Sequence, residues 1–234
     1  MVFIGGCRPS SFLPQPSPWH RSLLTEMSSL KPNSLVVVTG ITGFIASWTT
    51  LEILRGGHRV RGIVRLGGLQ REEEFRQALQ RHGLSAEDLK ERLEFVEVTD
   101  FYSQEEWTQA LRDADGIIHI AFPLDRIQES DLVPLSLKNM QLVLKAAQTS
   151  GTIKKFVYTS SSAAVVTAPM IVDRELTVDD WHEGAIDVLD GKSSIDNHPE
   201  LKDFQAILPY AAAKAKSERL AMEFVEEEKV FALD

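Results

Sequence analysis

The chain has 234 residues, 43% hydrophobic and 25% charged, an ordinary globular composition long enough to bury one large core. Its 34 acidic against 25 basic residues leave a formal charge of −9, which argues against broad binding to nucleic-acid backbones. One cysteine, Cys7, rules out an internal disulfide framework or thiolate cage and fits a reducing cytosol, and no apolar run approaches the roughly 20 residues of a membrane span.

Residues 1–33 read as a tail. Pro9, Pro14, Pro16 and Pro18 stand among serines with no period. Arg8 and Arg21, with serines and no acid before Glu26, give a weak transit-peptide pattern. Met27 is an alternative start, since it would place the first strand just inside a new N-terminus. The histidines (His20, His58, His82, His119, His182, His198) are scattered, so no metal site is expected.

Leu35 to Leu54 is the stretch that organises the chain. Leu35-Val36-Val37-Val38 is a short apolar run of the kind a strand buried on both faces shows. Gly40-Ile41-Thr42-Gly43 is a glycine turn, and Phe44, Ile45, Trp48, Leu51 and Leu54 then fall at helical spacings. Gly56-Gly57 ends the helix. Strand, glycine turn and helix in this order form half of a unit that grips a pyrophosphate. Gly40 allows the tight turn, and Gly43 lets phosphate oxygens approach the backbone. The first helical turn offers free N–H groups and the positive dipole end. Ala46 is the third small position. A purely structural turn is the alternative, because glycine turns between strand and helix are common.

His58 to Val64 reads as a second strand ending on Arg65, 22 residues past Gly43. A dinucleotide fold places there the residue that inspects the adenosine ribose. An acid would favour NAD, whereas an arginine can pair with a 2′-phosphate and favours NADP. Residues 70–92 are helical by pattern, with a capping-box start at Ser85 to Asp88. Leu93 to Val98 alternates as a third strand and runs into Thr99-Asp100-Phe101. Ser103 to Glu106 is a second capping box, opening a helix through Trp107 and Leu111. Gly116 to Ala121 is a fourth strand whose end should lie where ligands collect. His119 inside it is expected to be a satisfied core residue rather than a catalyst.

Leu132 to Ala147 reads as a long helix, and Lys154 to Thr159 as a fifth strand running into Ser160-Ser161-Ser162. Residues 170–208 look irregular and acid-rich, an insertion near a working site whose acids are solvated. Pro209 opens a helix, YAAAKAKSERLAMEFVEEE, and Val230 to Leu233 begins a sixth strand. Tyr210 and Lys214 are four apart on that helix, so they share a face one turn apart. A free phenol titrates near 10, and a neighbouring cation favours the phenolate. A nearby serine could hold a substrate oxygen while the tyrosine gives it a proton. An ordinary amphipathic helix is the competing reading of the pair taken alone.

Together, TGITGFIAS, the strand ending in Arg65, IIHIAFP, FVYTSSS and YAAAKAKSE resemble an extended short-chain dehydrogenase/reductase. The similarity is greatest to the NADPH-dependent group of dihydroflavonol 4-reductases, cinnamoyl-CoA reductases and methylglyoxal or ketone reductases. It covers about residues 33–234. The resemblance implies an α/β doubly wound parallel sheet over 34–234, binding NADP (NADPH) and reducing a small-molecule carbonyl in the cytoplasm. It implies Ser161 as the catalytic serine, with Ser160 and Ser162 as alternatives, Tyr210 as the acid and Lys214 on the nicotinamide ribose. It further implies that the backbone of Gly40, Ile41, Thr42, Gly43, Phe44 and Ile45 binds the pyrophosphate, with Arg65 at the 2′-phosphate, Asp100 and Phe101 at the adenine, and Ala121 near the nicotinamide ribose.

A homodimer through a four-helix contact would fit the family. Members usually continue well past this point to build a small substrate domain, so most of that domain is expected to be absent and the cleft to lack one wall. Two rivals follow: a catalytically weak NADP-binding sensor or fragment, and a nucleotide-sugar epimerase or dehydratase holding NAD, which Arg65 argues against.

Overall fold

The structure is a computed structural model that describes residues 30–123, 131–166 and 175–233. The stretch from Met1 to Met27, Cys7 included, lies outside the described residues, as do 170–174 of the expected insertion.

Six strands form one parallel sheet: β1 (Leu35–Thr39), β2 (Arg59–Arg65), β3 (Leu93–Val98), β4 (Gly116–His119), β5 (Lys155–Tyr158) and β6 (Ala232–Leu233). Their order is β3-β2-β1-β4-β5-β6. All five residues of β1 are buried, and alternate side chains feed opposite faces. Val36 and Val38 pack with Leu51 and Leu54 of α1 (Phe44–Arg55), Phe75 and Leu79 of α2 (Glu72–Arg81) and Leu89 of α3 (Ala86–Arg92). Leu35 and Val37 pack with Trp107 of α4 (Gln104–Ala110), Val143 of α5 (Leu132–Ser150) and Phe156. The sheet is therefore covered on both faces, as the valine run at β1 predicts. Because β1 pairs with β2 on one side and β4 on the other, the connections leave in opposite directions. A crevice opens there, at the carboxyl ends of the strands.

Two expectations change. The fourth strand stops at His119 rather than Ala121. The next two N–H groups, of Ile120 and Ala121, leave the ladder and donate to the Thr39 hydroxyl instead. The acid-rich stretch is also not irregular where it is described. It holds α6 (Glu183–Leu189) and 3-10 turns at Ile195–Asn197 and Pro199–Ile207. Ala185, Ile186 and Leu201 form a third apolar cluster with Leu208, Ala211, Ala212 and Ala215 of α7 (Leu208–Glu228). Several of its acids are paired rather than merely solvated: Asp190 meets Lys216 and Lys192, and Glu183 meets Arg219, since α7 points its cations at this segment. A seven-residue helix carries too few turns to show a period.

Candidate active site

The glycine turn has the geometry that an anion needs. Gly40 lies in the left-handed region at φ +64°, and a Cβ there would stand 3.3 Å from the Ala121 backbone. The turn and the end of β4 are thus pressed together, and a side chain at Gly40 would be both strained and crowded. Gly43 caps α1 with no side-chain acceptor, and the first turn of α1 has no acid. The leading N–H groups of that helix therefore point out without an internal partner. The Ile41 side chain is fully buried against Gly62, where any Cβ would collide with it. Its backbone belongs to the turn, but its side chain faces the core rather than the cleft.

A cleft of about 800 Å³ opens beside the turn. It is lined by Gly40, Thr42, Gly43, Phe44 and Ile45, by Arg65 at the end of β2, by Asp100 and Phe101 after β3, and by Ala121 after β4. Sequence reasoning missed what shapes the Asp100 end. Glu106, the fourth residue of the capping box, does not reach back to Ser103. It accepts instead from the Thr99 and Asp100 N–H groups at 2.6 and 3.2 Å and from the Thr99 hydroxyl at 2.8 Å. Those donors hold its carboxyl below the usual range. The Phe101 carbonyl is held by Trp107 Nε1 at 3.0 Å and Asn139 Nδ2 at 2.8 Å.

Thr39 was also missed; its only signal is a hydroxyl residue just before the first glycine. Its Oγ1 accepts from Ile120 N at 3.0 Å and Ala121 N at 2.9 Å, and lies 3.1 Å from His119 Nδ1. Both lone pairs are used by N–H donors, so the hydroxyl proton must go to Nδ1, and His119 carries its own proton on Nε2. Burial, reinforced by the Lys214 charge, pulls His119 down to about 3, so it stays neutral. Thr39→Val should leave two buried N–H groups and one ring nitrogen without a partner. We expect a loss of about 2–3 kcal/mol of unfolding free energy in urea melts. An unchanged midpoint would show that the triangle contributes nothing.

The Ser, Tyr and Lys residues gather where β5 meets α7. Ser160 Oγ donates to a Glu218 carboxylate oxygen. Ser161 Oγ accepts from Ala163 N at 3.2 Å, which leaves its proton available, and Ser162 is exposed. Lys214 is only 3% exposed. Its Nζ donates to Thr159 O at 2.7 Å and lies 4.4 Å from the Phe122 ring centre and 4.7 Å from that of Tyr158. Burial pulls its ammonium down to about 8, with the Glu218 carboxylate opposing. Tyr210 is half-buried, edge-on to Phe122 with ring centres 5.2 Å apart. Tyr158 is not an equivalent phenol: burial, and then the Glu218 charge, push it up and make it a poorer acid.

Ser161, Tyr210 and Lys214 do not themselves line the cleft. Tyr210 and Lys214 adjoin it through Phe122 and Tyr158, which do. Among the described residues no helix is long and apolar enough to cross a membrane, and no group of three or more His, Cys, Asp or Glu side chains could hold a metal.

Comparisons with known proteins agree with this fold. A family model described as the NAD dependent epimerase/dehydratase family matches residues 36–233. The chain is 30% identical over 208 residues to the NAD-dependent epimerase/dehydratase terH of Aspergillus terreus, covering 88% of this chain and 57% of that protein. It is 28% identical over 195 residues to a dihydroflavonol 4-reductase of Hordeum vulgare, covering 82% of this chain and 49% of that one. Among solved structures, vestitone reductase from alfalfa aligns at a TM-score of 0.60 and 26% identity, over 86% of this chain and 55% of that chain. The chain thus spans about half the length of the curated relatives it matches. With its β3-β2-β1-β4-β5-β6 sheet and its glycine turn at the switch point, it belongs to the NAD dependent epimerase/dehydratase family, among the extended short-chain dehydrogenases/reductases that the sequence resembles.

Proposed function

We propose that the chain is an NADPH-dependent oxidoreductase that reduces an aldehyde or ketone carbonyl to an alcohol. The observation that carries this reading is the Lys214 ammonium. It is buried, pinned to the Thr159 carbonyl at the exit of β5, and one helical turn from Tyr210, beside a cleft that ends on the glycine turn. An ammonium in such a place costs stability, and a function explains its retention.

NADPH fits the cleft by three features: the room made by Gly40, the acid-free helix start, and Arg65 at the far wall. Bound there, it supplies the hydride. The residues of the chain do the rest. The N–H groups at Gly43 to Ala46 and the Arg65 guanidinium hold the phosphates. Ser161 offers its unused proton to the substrate oxygen, for which Ser160 is less suited because its own proton goes to Glu218. Tyr210 gives that oxygen a proton as an alkoxide develops. Lys214 favours the phenolate left behind. The substrate is a small or medium carbonyl compound.

Titration with NADPH and NADH, followed by NADPH oxidation over aldehydes, diketones, flavonoid-like ketones and acyl-CoA esters, tests the reading. Arg65→Ser is expected to weaken NADPH at least about tenfold, with little effect on NADH, through loss of a charged hydrogen bond. No NADPH binding would remove the proposal. Binding without turnover on any carbonyl would leave a dinucleotide-binding protein of another role.

A further inference from the structure

Glu218 stands one turn beyond Lys214 and two beyond Tyr210, so all three share one face of α7. Its carboxylate accepts the Ser160 hydroxyl. Ser160 follows Thr159, whose carbonyl accepts Lys214 Nζ. These links close a loop, Glu218 to Ser160 to Thr159 to Lys214, that ties α7 to the exit of β5. Ser161 leaves from this same backbone.

The charges point the same way. The titratable groups facing the Lys214 ammonium are His119 on β4, Tyr158 on β5, and Tyr210 and Glu218 on α7. His119 is neutral, and burial keeps the Tyr158 phenol protonated. Glu218 is the group that opposes the desolvation of the ammonium.

We propose that Glu218 is a positioning residue for the Tyr210–Lys214 pair: it fixes the β5 exit through Ser160 and sets a carboxylate one helical turn from the Lys214 ammonium. This rests on the oxidoreductase reading above, but one of its tests does not need turnover. Glu218→Gln keeps an oxygen for the Ser160 hydroxyl and removes the charge. Ser160→Ala removes the hydrogen bond and keeps the charge. Thermal melts establish that both variants are folded.

Two measurements decide. In the first, Lys214 is titrated by NMR with lysine labelled at Cε, its signal assigned by loss in Lys214→Arg. Glu218→Gln is expected to titrate at lower pH than wild type, and Ser160→Ala close to wild type. In the second, kcat/KM for carbonyl reduction is followed against pH. The alkaline limb of Glu218→Gln should move down by about one pH unit, while Ser160→Ala lowers kcat across the range and leaves the limb in place.

A tether with no electrostatic part would lower activity equally at every pH and leave the Lys214 titration unmoved; that result overturns the proposal. So does a Ser160→Ala variant that loses all turnover beside a Glu218→Gln variant that keeps it, since Ser160 would then be the substrate-holding serine. If no carbonyl is turned over, the oxidoreductase reading fails, and the NMR titration still judges Glu218.

Discussion

Tyr210→Phe is expected to reduce carbonyl turnover at least about a hundredfold, the span over which a positioned acid contributes, while NADPH affinity stays within a factor of about two. The separation follows from the contacts. The ring would keep its edge-on packing against Phe122, so the wall of the site survives. The Lys214 ammonium is held by the Thr159 carbonyl and by the faces of Phe122 and Tyr158, none of which depends on the Tyr210 hydroxyl. On the proposed mechanism, what is lost is the proton that follows the hydride. Tyr158 cannot replace it, since burial makes its phenol a weaker acid and it stands beneath the lysine. Steady-state kinetics with a substrate from the carbonyl screen, beside a fluorescence titration of NADPH, provides both numbers. Undiminished turnover would remove the acid role from Tyr210.

Much of the fold was legible in the sequence, because the signals are local. A valine run before a glycine turn gives β1, since a strand covered on both faces has no polar side to show. Spacing gives α1 and α7 and sets Tyr210 and Lys214 on one face. Gly40 was read as a tight turn, and its φ of +64° agrees, but its second constraint is non-local. The turn is pressed against Ala121, 81 residues away, and no pattern around Gly40 reports that. Thr39 and Glu106 escaped for the same reason. Each is an ordinary polar residue whose partners are backbone N–H groups that other connections present to it.

Glu106 is instructive because its capping-box pattern is real, and Ser103 does accept from its N–H at 3.3 Å. The carboxylate was drawn elsewhere because the Thr99 and Asp100 N–H groups compete for it. The Ile41 backbone was placed at the pyrophosphate because it sits in the motif; that its apolar side chain fills the gap at Gly62 is a separate, non-local role that the motif does not report. The acid-rich segment misled for a different reason. Lys216 and Arg219 of α7 supply part of its balancing charge, so that part is a property of the fold rather than of the stretch itself.

The buried lysine makes a second large prediction, in which stability and function move in opposite directions. Lys214→Met should abolish turnover and make the protein more stable at pH 7. Burial lowers the ammonium from 10.5 in the unfolded chain to about 8 in the fold. The unfolded state therefore binds the proton more tightly, and folding with the charge in place costs about 3 kcal/mol. That cost is present in full below pH 8 and disappears as pH rises toward the unfolded value. Methionine has a similar length and keeps the contacts with Phe122 and Tyr158, but it leaves the Thr159 carbonyl without its donor, a loss of about 1–2 kcal/mol. The net expectation is a gain of about 1–2 kcal/mol at pH 7, shrinking and then reversing toward pH 10 as the lysine of the wild type becomes neutral. Urea unfolding of both proteins at several pH values reads this directly. A methionine variant that is less stable at pH 7 by the same margin as at pH 10 would mean that the ammonium is not the strained group, and the argument that its cost is retained for chemistry would fail with it.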